Sequence, residues 1–169
     1  TGYGYDGTVW GGEIFIGDFI HLERMACFKP LRIPGGEIAI KQPWRMALSY
    51  LLEALHGELP LLPFLKHKPI RLIQQQLAKQ LNCPLTSSCG RLFDGASVIS
   101  GGRNEVYYEA QAAIEFTQAV KNLNVAPLQF AIDLPYIPFE PIIRALVELA
   151  LSLIHISEPT RPLYISYAV

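Results

Sequence analysis

Ser87-Ser88-Cys89-Gly90-Arg91 is the stretch of this chain best suited to holding an anion. Small side chains at a helix start leave backbone N–H groups open, and an arginine in the first turn adds a fixed charge. Asp94 follows Arg91 by one turn and shares its face. The same residues also make an ordinary capped helix with an Arg–Asp surface pair, and the pattern leaves both readings open. Cys89 offers a thiol, but no histidine lies near it in sequence and no GxSxG elbow is present.

Two further clusters belong with this one. Gly11-Gly12-Glu13 sets two glycines inside a strand pattern. Such glycines mark a bulge, or a place where a ligand or another backbone comes close. Tyr108-Glu109-Ala110-Gln111-Ala112-Ala113 reads as a helix start, with Glu109 and Gln111 in the opening turn. An acidic group there complements the helix dipole, and the small residues would admit a ligand. The residues alone support a small-ligand or anion site built from two helix starts and a glycine-rich hairpin.

Metal chemistry has little to work with. His21, His56, His67 and His155 show no paired-ligand spacing, and Cys27, Cys83 and Cys89 are odd in number and irregularly placed. No metal site is expected within the chain, and reduced cytoplasmic thiols are the default expectation.

The elements that must position these residues follow from the apolar spacing. Thr8–Ile16 and Ile20–Phe28 read as a hairpin, with Gly17 and Asp18 between them. Ile33-Pro34-Gly35-Gly36 reads as a turn. Pro43 opens a helix with Trp44, Ala47, Leu48, Leu51, Leu52 and Leu55 inward, and Gly57 stops it. Arg45, Ser49, Glu53 and His56 form its polar stripe. A second helix is expected over Ile70–Leu81. A third carries Leu92, Phe93, Ala96 and Ile99, and a fourth covers Tyr107–Lys121 with Ala110, Ala113, Ile114, Thr117 and Val120 on one face. Leu128–Leu134 suggests a short strand. A last helix buries Phe139, Ile142, Ile143, Leu146, Leu149 and Ala150. The order is a β-hairpin followed by helices, an α/β class that reads as α+β in this stretch.

Composition narrows the function classes. The chain has 169 residues, 50% of them hydrophobic, and a net charge of -1. One globular domain fits that length. The charge balance argues against a nucleic-acid partner. No apolar run reaches the length of a membrane span, and the longest, Ala145–Ile156, contains Glu148 and His155.

Taken in order, Thr1-Gly2-Tyr3-Gly4, Asp6-Gly7-Thr8-Val9-Trp10-Gly11-Gly12-Glu13, Pro34-Gly35-Gly36-Glu37, Pro43-Trp44-Arg45-Met46-Ala47, Ser87-Ser88-Cys89-Gly90-Arg91-Leu92-Phe93-Asp94 and Tyr108-Glu109-Ala110-Gln111-Ala112-Ala113 resemble the HypF carbamoyltransferases of nickel–iron hydrogenase maturation. The resemblance runs from Thr1 to about Ala150. It implies part of a TsaD-like domain with the ASKHA (actin/Hsp70-like) fold. It implies an enzyme that makes carbamoyl adenylate from carbamoyl phosphate and ATP. The carbamoyl group would pass to a cysteine of a HypE-like acceptor protein and end as hydrogenase cyanide. On this reading Gly11, Gly12, Glu13, Ser88, Arg91, Asp94 and Glu109 belong to the carbamoyl-adenylate pocket. Asp94 would contact the nucleotide or its acyl group, Gly11 and Gly12 would lie near the phosphates, and Glu109 would line the nucleotide side. Zinc and iron would be held outside this stretch, and the stretch alone would be inactive. A non-catalytic docking module of the same pathway, or another ASKHA member such as a sugar kinase, stand as alternatives.

The sequence departs from the family's pattern in places. Ala110 stands where the family usually has glycine, which raises the expectation of a Cβ crowding a ligand-facing backbone. Gly95 stands where alanine is common, Tyr5 where an acidic residue is frequent. Residues 1–150 are expected to form the partial domain. Residues 151–169, from Leu151-Ser152-Leu153-Ile154-His155 onward, resemble a translated sequencing adapter and are expected to carry no function.

Overall fold

Asp6 organises the first turn of the structure, a computed structural model that describes residues 2–120 and 127–156. Its carboxylate accepts the Thr8 N–H at 2.9 Å, the Thr8 hydroxyl at 2.8 Å and the Trp10 indole N–H at 2.9 Å. Gly2–Tyr3 (β1) therefore folds back antiparallel on Val9–Trp10 (β2). The run expected over Thr8–Ile16 is not continuous. It breaks at Gly11-Gly12, and Glu13–Gly17 (β3) begins a second sheet with Leu22–Phe28 (β4). The Asp18 carboxylate closes that hairpin by accepting the N–H groups of Ile20 and His21. Phe19 and Ile20 at its tip are fully exposed, and Ile14, Phe15 and Ile16 are exposed as well.

Leu31–Arg32 (β5) is followed by Glu37–Lys41 (α1), a short helix just after the turn expected at Ile33-Pro34-Gly35-Gly36, in a stretch the sequence left unassigned. Trp44–Ala54 (α2) starts after Pro43, and Gly57 ends it with φ 88°. Ile70–Ala78 (α3), Leu85–Thr86 (β6) and Cys89–Ile99 (α4) come next. Gln111–Val120 (α5), Tyr136–Ile137 (β7) and Glu140–Ile156 (α6) complete the order. One sheet runs β1-β2-β6-β5 and the other β3-β4-β7, with β2/β6 and β4/β7 parallel. The class is mixed α/β, as expected.

Several expectations shift. The fourth helix starts at Gln111 rather than Tyr107, because Ala110 sits at φ 60° and cannot extend a right-handed helix; its expected end at Lys121 lies outside the described residues. Its buried residues are Gln111 and Ala112, while Ile114 is exposed. The strand expected over Leu128–Leu134 is displaced to Tyr136–Ile137. There the Pro135 and Ile137 carbonyls accept the N–H groups of Cys27 and Lys29, which fixes the register. Ser49 is buried rather than part of a solvated stripe, and its hydroxyl donates to the Arg32 carbonyl at 2.8 Å. In α6, Val147 is buried and Leu149 is exposed, since α6 presents the Phe139–Ile143–Val147 spacing to α2.

The core lies where α2 packs on α4 and α6. Met46, Ala47, Leu48, Leu51 and Ala54 are solvent-free on α2. Burying each large aliphatic side chain contributes about 1.5–3 kcal/mol. Tyr50 meets Phe139 edge-on at 4.8 Å. Gly95 of α4 lies under that pair: an added Cβ would come 2.8 Å from the Tyr50 ring. The departure from alanine at this position makes room for tyrosine, which outweighs the helix propensity of about 1 kcal/mol that glycine gives up.

Candidate functional site

The start of α4 is pinned from three sides. The Thr86 hydroxyl donates to the Val9 carbonyl at 2.8 Å and accepts the Ser88 N–H at 3.0 Å. Ser87 N–H donates to Val9 and Cys89 N–H to the Gly11 carbonyl. One of the helix-start donors expected to be open is thus taken by the glycine hairpin. Glu13 completes the joint. Its carboxylate accepts the N–H groups of Gly11 at 2.6 Å and Gly12 at 2.8 Å, the Ser87 hydroxyl, and the Arg24 guanidinium at 3.2 Å. A Cβ on Gly12 would fall 2.3 Å from the Ser87 carbonyl oxygen. Close approach of another backbone is therefore the role Gly12 plays here.

Arg24 extends the network outward. It lies 4.2 Å over the Trp10 ring and reaches Asp6 at 2.9 Å. The N–H of Thr8, with help from the Thr8 hydroxyl, Trp10 and Arg24, holds the Asp6 carboxyl down at about 2.

Arg91 and Asp94 form a buried pair, not a surface one. Their nearest N–O distance is 2.8 Å, and their side chains are 16% and 5% exposed. The contact lacks hydrogen-bond alignment: Arg91 Nη1 and Asp94 Oδ2 have no hydrogen-bond partner among the described residues, and neither has the buried Ser88 hydroxyl. Burial pushes the Asp94 carboxyl up to about 6 against the pull of Arg91. Burial also raises the Cys89 thiol, which suits an inert thiol better than a nucleophile.

A cavity of about 370 Å³ opens beside these groups, within the range of small-ligand sites. Ser88, Arg91 and Glu109 all line it, and Val9, Ile33 and Ile40 give it an apolar side. Lys41 lines it too. The Lys41 carbonyl accepts the Val106 N–H at 3.0 Å, so the end of α1 is tied to the segment that carries Tyr108 and Glu109. Gln111 holds that segment from behind. Its carboxamide oxygen accepts the Tyr107 N–H at 2.9 Å, and its NH2 donates to Glu115, which pairs with Arg103.

Of the seven residues singled out from sequence, three meet on this cavity. Asp94 reaches it through Arg91, and Gly11, Gly12 and Glu13 form the joint behind the α4 start. Glu109 stands in the loop before α5 rather than in its first turn. Ala110 carries its cost in the backbone: a left-handed alanine is disfavoured by roughly 1–2 kcal/mol, a cost glycine avoids. Lys41 escaped the sequence reading because α1 did. A lysine closing a five-residue helix just before Pro43 was the available signal.

A second cavity of about 370 Å³ lies among β5, α2 and α3. Three of its polar side chains are committed elsewhere: Arg32 to the Cys83 carbonyl, Ser49 to the Arg32 carbonyl, Glu53 to Lys29. Among the described residues no three His, Cys, Asp or Glu side chains cluster as a metal site, and no helix is long and apolar enough to cross a membrane.

Residues 1–159 match the family model for the carbamoyltransferase, Kae1-like domain, second subdomain. The carbamoyltransferase HypF of Rhizobium leguminosarum bv. viciae is 37% identical over 149 residues, 87% of this chain and 19% of that protein. The probable carbamoyltransferase HypF of Methanocaldococcus jannaschii is 34% identical over 135 residues, 75% of this chain and 18% of that protein. The crystal structure of full-length HypF in the phosphate- and nucleotide-bound form superposes with a TM-score of 0.76 at 30% identity, covering 90% of this chain and 24% of that one. HypF from T. kodakarensis gives 0.70 at 25% identity, with 86% and 21% covered. The chain spans about a fifth of the length of the curated relatives named here.

Proposed function

The chain belongs to the HypF carbamoyltransferase family, and from that premise we propose that its cavity holds the nucleotide end of a carbamoyl adenylate made from carbamoyl phosphate and ATP. One observation carries this reading. Ser88, Arg91 and Glu109, brought together from two segments of the chain, converge on one cavity, and the Ser88 hydroxyl has no hydrogen-bond partner among the described residues. An unpaired buried donor costs about 1–3 kcal/mol, which a ligand acceptor would recover. The residues present fit an adenylate: cationic and hydroxyl donors for a phosphoryl group, a carboxylate for sugar hydroxyls, and aliphatic side chains for a base. A nucleotide-bound relative with this fold supports the same reading.

The division of labour follows. ATP, when bound, supplies the adenylyl group that activates the carbamoyl carbon. Arg91 and Ser88 hold anionic oxygens in place, Glu109 accepts hydroxyl protons in hydrogen bonds, and the apolar wall keeps water from the base. The product would carry the carbamoyl group to a cysteine of a HypE-like acceptor in the cytoplasm, for hydrogenase cyanide. Zinc and iron would be held by parts of the parent enzyme outside this chain.

The test is an assay of the intact parent enzyme for pyrophosphate release that depends on carbamoyl phosphate. Glu109→Gln is expected to lower that rate by about 10–100-fold, the loss of one charged hydrogen bond to ligand. Glu109 is exposed, so the melting temperature should not move. An unchanged rate would remove the cavity from the reaction and favour a docking role, for which the exposed apolar hairpin at Phe15, Phe19 and Ile20 would be the surface.

A further inference from the structure

The cavity carries a cation that the adenylate reading does not require. Lys41 is exposed at the end of α1 and makes no ion pair among the described residues. Its backbone is fixed by the bond from Val106, so the side chain starts from a defined place on the rim. Arg91 lines the same cavity from α4, its Nη1 set 2.8 Å from Asp94 Oδ2. Ser88 lies at the N-terminus of that helix, is 2% exposed and has an unpartnered hydroxyl. The 11-residue α4 adds the positive end of its dipole at this point. Two cations, a helix start and a free hydroxyl donor meet one lining carboxylate, Glu109.

We infer that Lys41 and Arg91 form the anion-reading end of this cavity and hold a phosphoryl group of its ligand, with Lys41 selecting phosphorylated over unphosphorylated nucleosides. This rests on the reading of the cavity as a nucleotide site. Lys41 acts as a mobile point charge at the rim, whereas Arg91 is fixed by its buried partner Asp94. A lysine so placed strengthens binding of the charged ligand and is indifferent to the neutral one.

Calorimetry on the intact parent enzyme at low salt separates the possibilities, with AMP, adenosine and inorganic phosphate as probes. Lys41→Met is expected to weaken AMP about tenfold and to leave adenosine within about twofold of wild type. Inorganic phosphate should weaken in parallel with AMP, and Lys41→Arg should stay near wild type for all three. A thermal melt confirms that each variant is folded. If Lys41→Met binds AMP as tightly as wild type, Lys41 is not the selecting residue and the nucleotide site stands without it. If AMP and adenosine weaken equally, the residue shapes the wall rather than reading charge, and the inference is overturned. If wild type binds neither nucleoside nor nucleotide, the site reading fails together with this one.

Discussion

Replacing Asp94 by asparagine is expected to raise the stability of the fold at neutral pH by up to roughly 3 kcal/mol, because burial costs the Asp94 carboxylate more than Arg91 returns. The pair sits in the first turns of α4, the helix that packs on α2. Asp94→Asn keeps the shape and isolates the charge. The Asp94 carboxyl moves from 3.8 to about 6 on folding because burial disfavours the carboxylate. Between those values the folded chain holds a proton that the unfolded chain has released. The stability tied to this group is therefore full below about pH 4 and is lost as pH rises through 6, by roughly 3 kcal/mol. Urea unfolding at pH 4, 5, 6 and 7 should show wild type and Asp94→Asn close together at pH 4 and wild type falling progressively below the variant as pH rises to 7. Parallel profiles would mean that Asp94 titrates as an ordinary exposed carboxylate. The asparagine variant is also the proper one for activity assays, since alanine would confound catalysis with folding.

Gly12→Ala is expected to cost roughly 2–3 kcal/mol, the upper part of the range for overpacking. The new Cβ would fall 2.3 Å from a backbone oxygen and 2.6 Å from the Phe28 ring. Ser87 cannot step aside easily, since its N–H is held by Val9 and its hydroxyl by Glu13. Any shift it does make moves Ser88 and Arg91, so ligand binding should fall with stability. Gly90→Ala is the matched control. Its nearest new contact is the Ser88 hydroxyl at 3.5 Å, and alanine favours a helix by about 1 kcal/mol. Thermal melts should rank Gly90→Ala at or above wild type and Gly12→Ala well below. Equal melting of Gly12→Ala and wild type would show that the hairpin and the α4 start are not packed as described.

The same residues show what a sequence can and cannot reveal. The apolar stripe of α2 and the course of α4 were legible because helical spacing acts locally, although Ser88 caps α4 with no side-chain bond. Ser88, Arg91 and Glu109 were legible as a group because the order of motifs resembles one family. The role of Gly12 was not, since its reason is a carbonyl 75 residues further along the chain, at Ser87. The burial of Arg91–Asp94 was equally hidden: an i, i+3 pair looks the same in water or in a core, and packing against α2 decides. Ala110 hid the true start of α5, because alanine ordinarily propagates a helix and only the fold holds it left-handed. Strand β7 and the inward face of α6 depended on which neighbours they meet, information that periodicity does not carry.

On the proposed function the nucleotide sits in the cavity between α1, the start of α4 and the Val106–Glu109 segment. Photolabelling of the intact parent enzyme with 8-azido-ATP, in the presence of carbamoyl phosphate, tests this placement most directly. Labelled peptides mapped by mass spectrometry are expected to fall within residues 33–41 or 106–111, and excess ATP should suppress them. Label confined to peptides outside residues 2–156 would contradict the account.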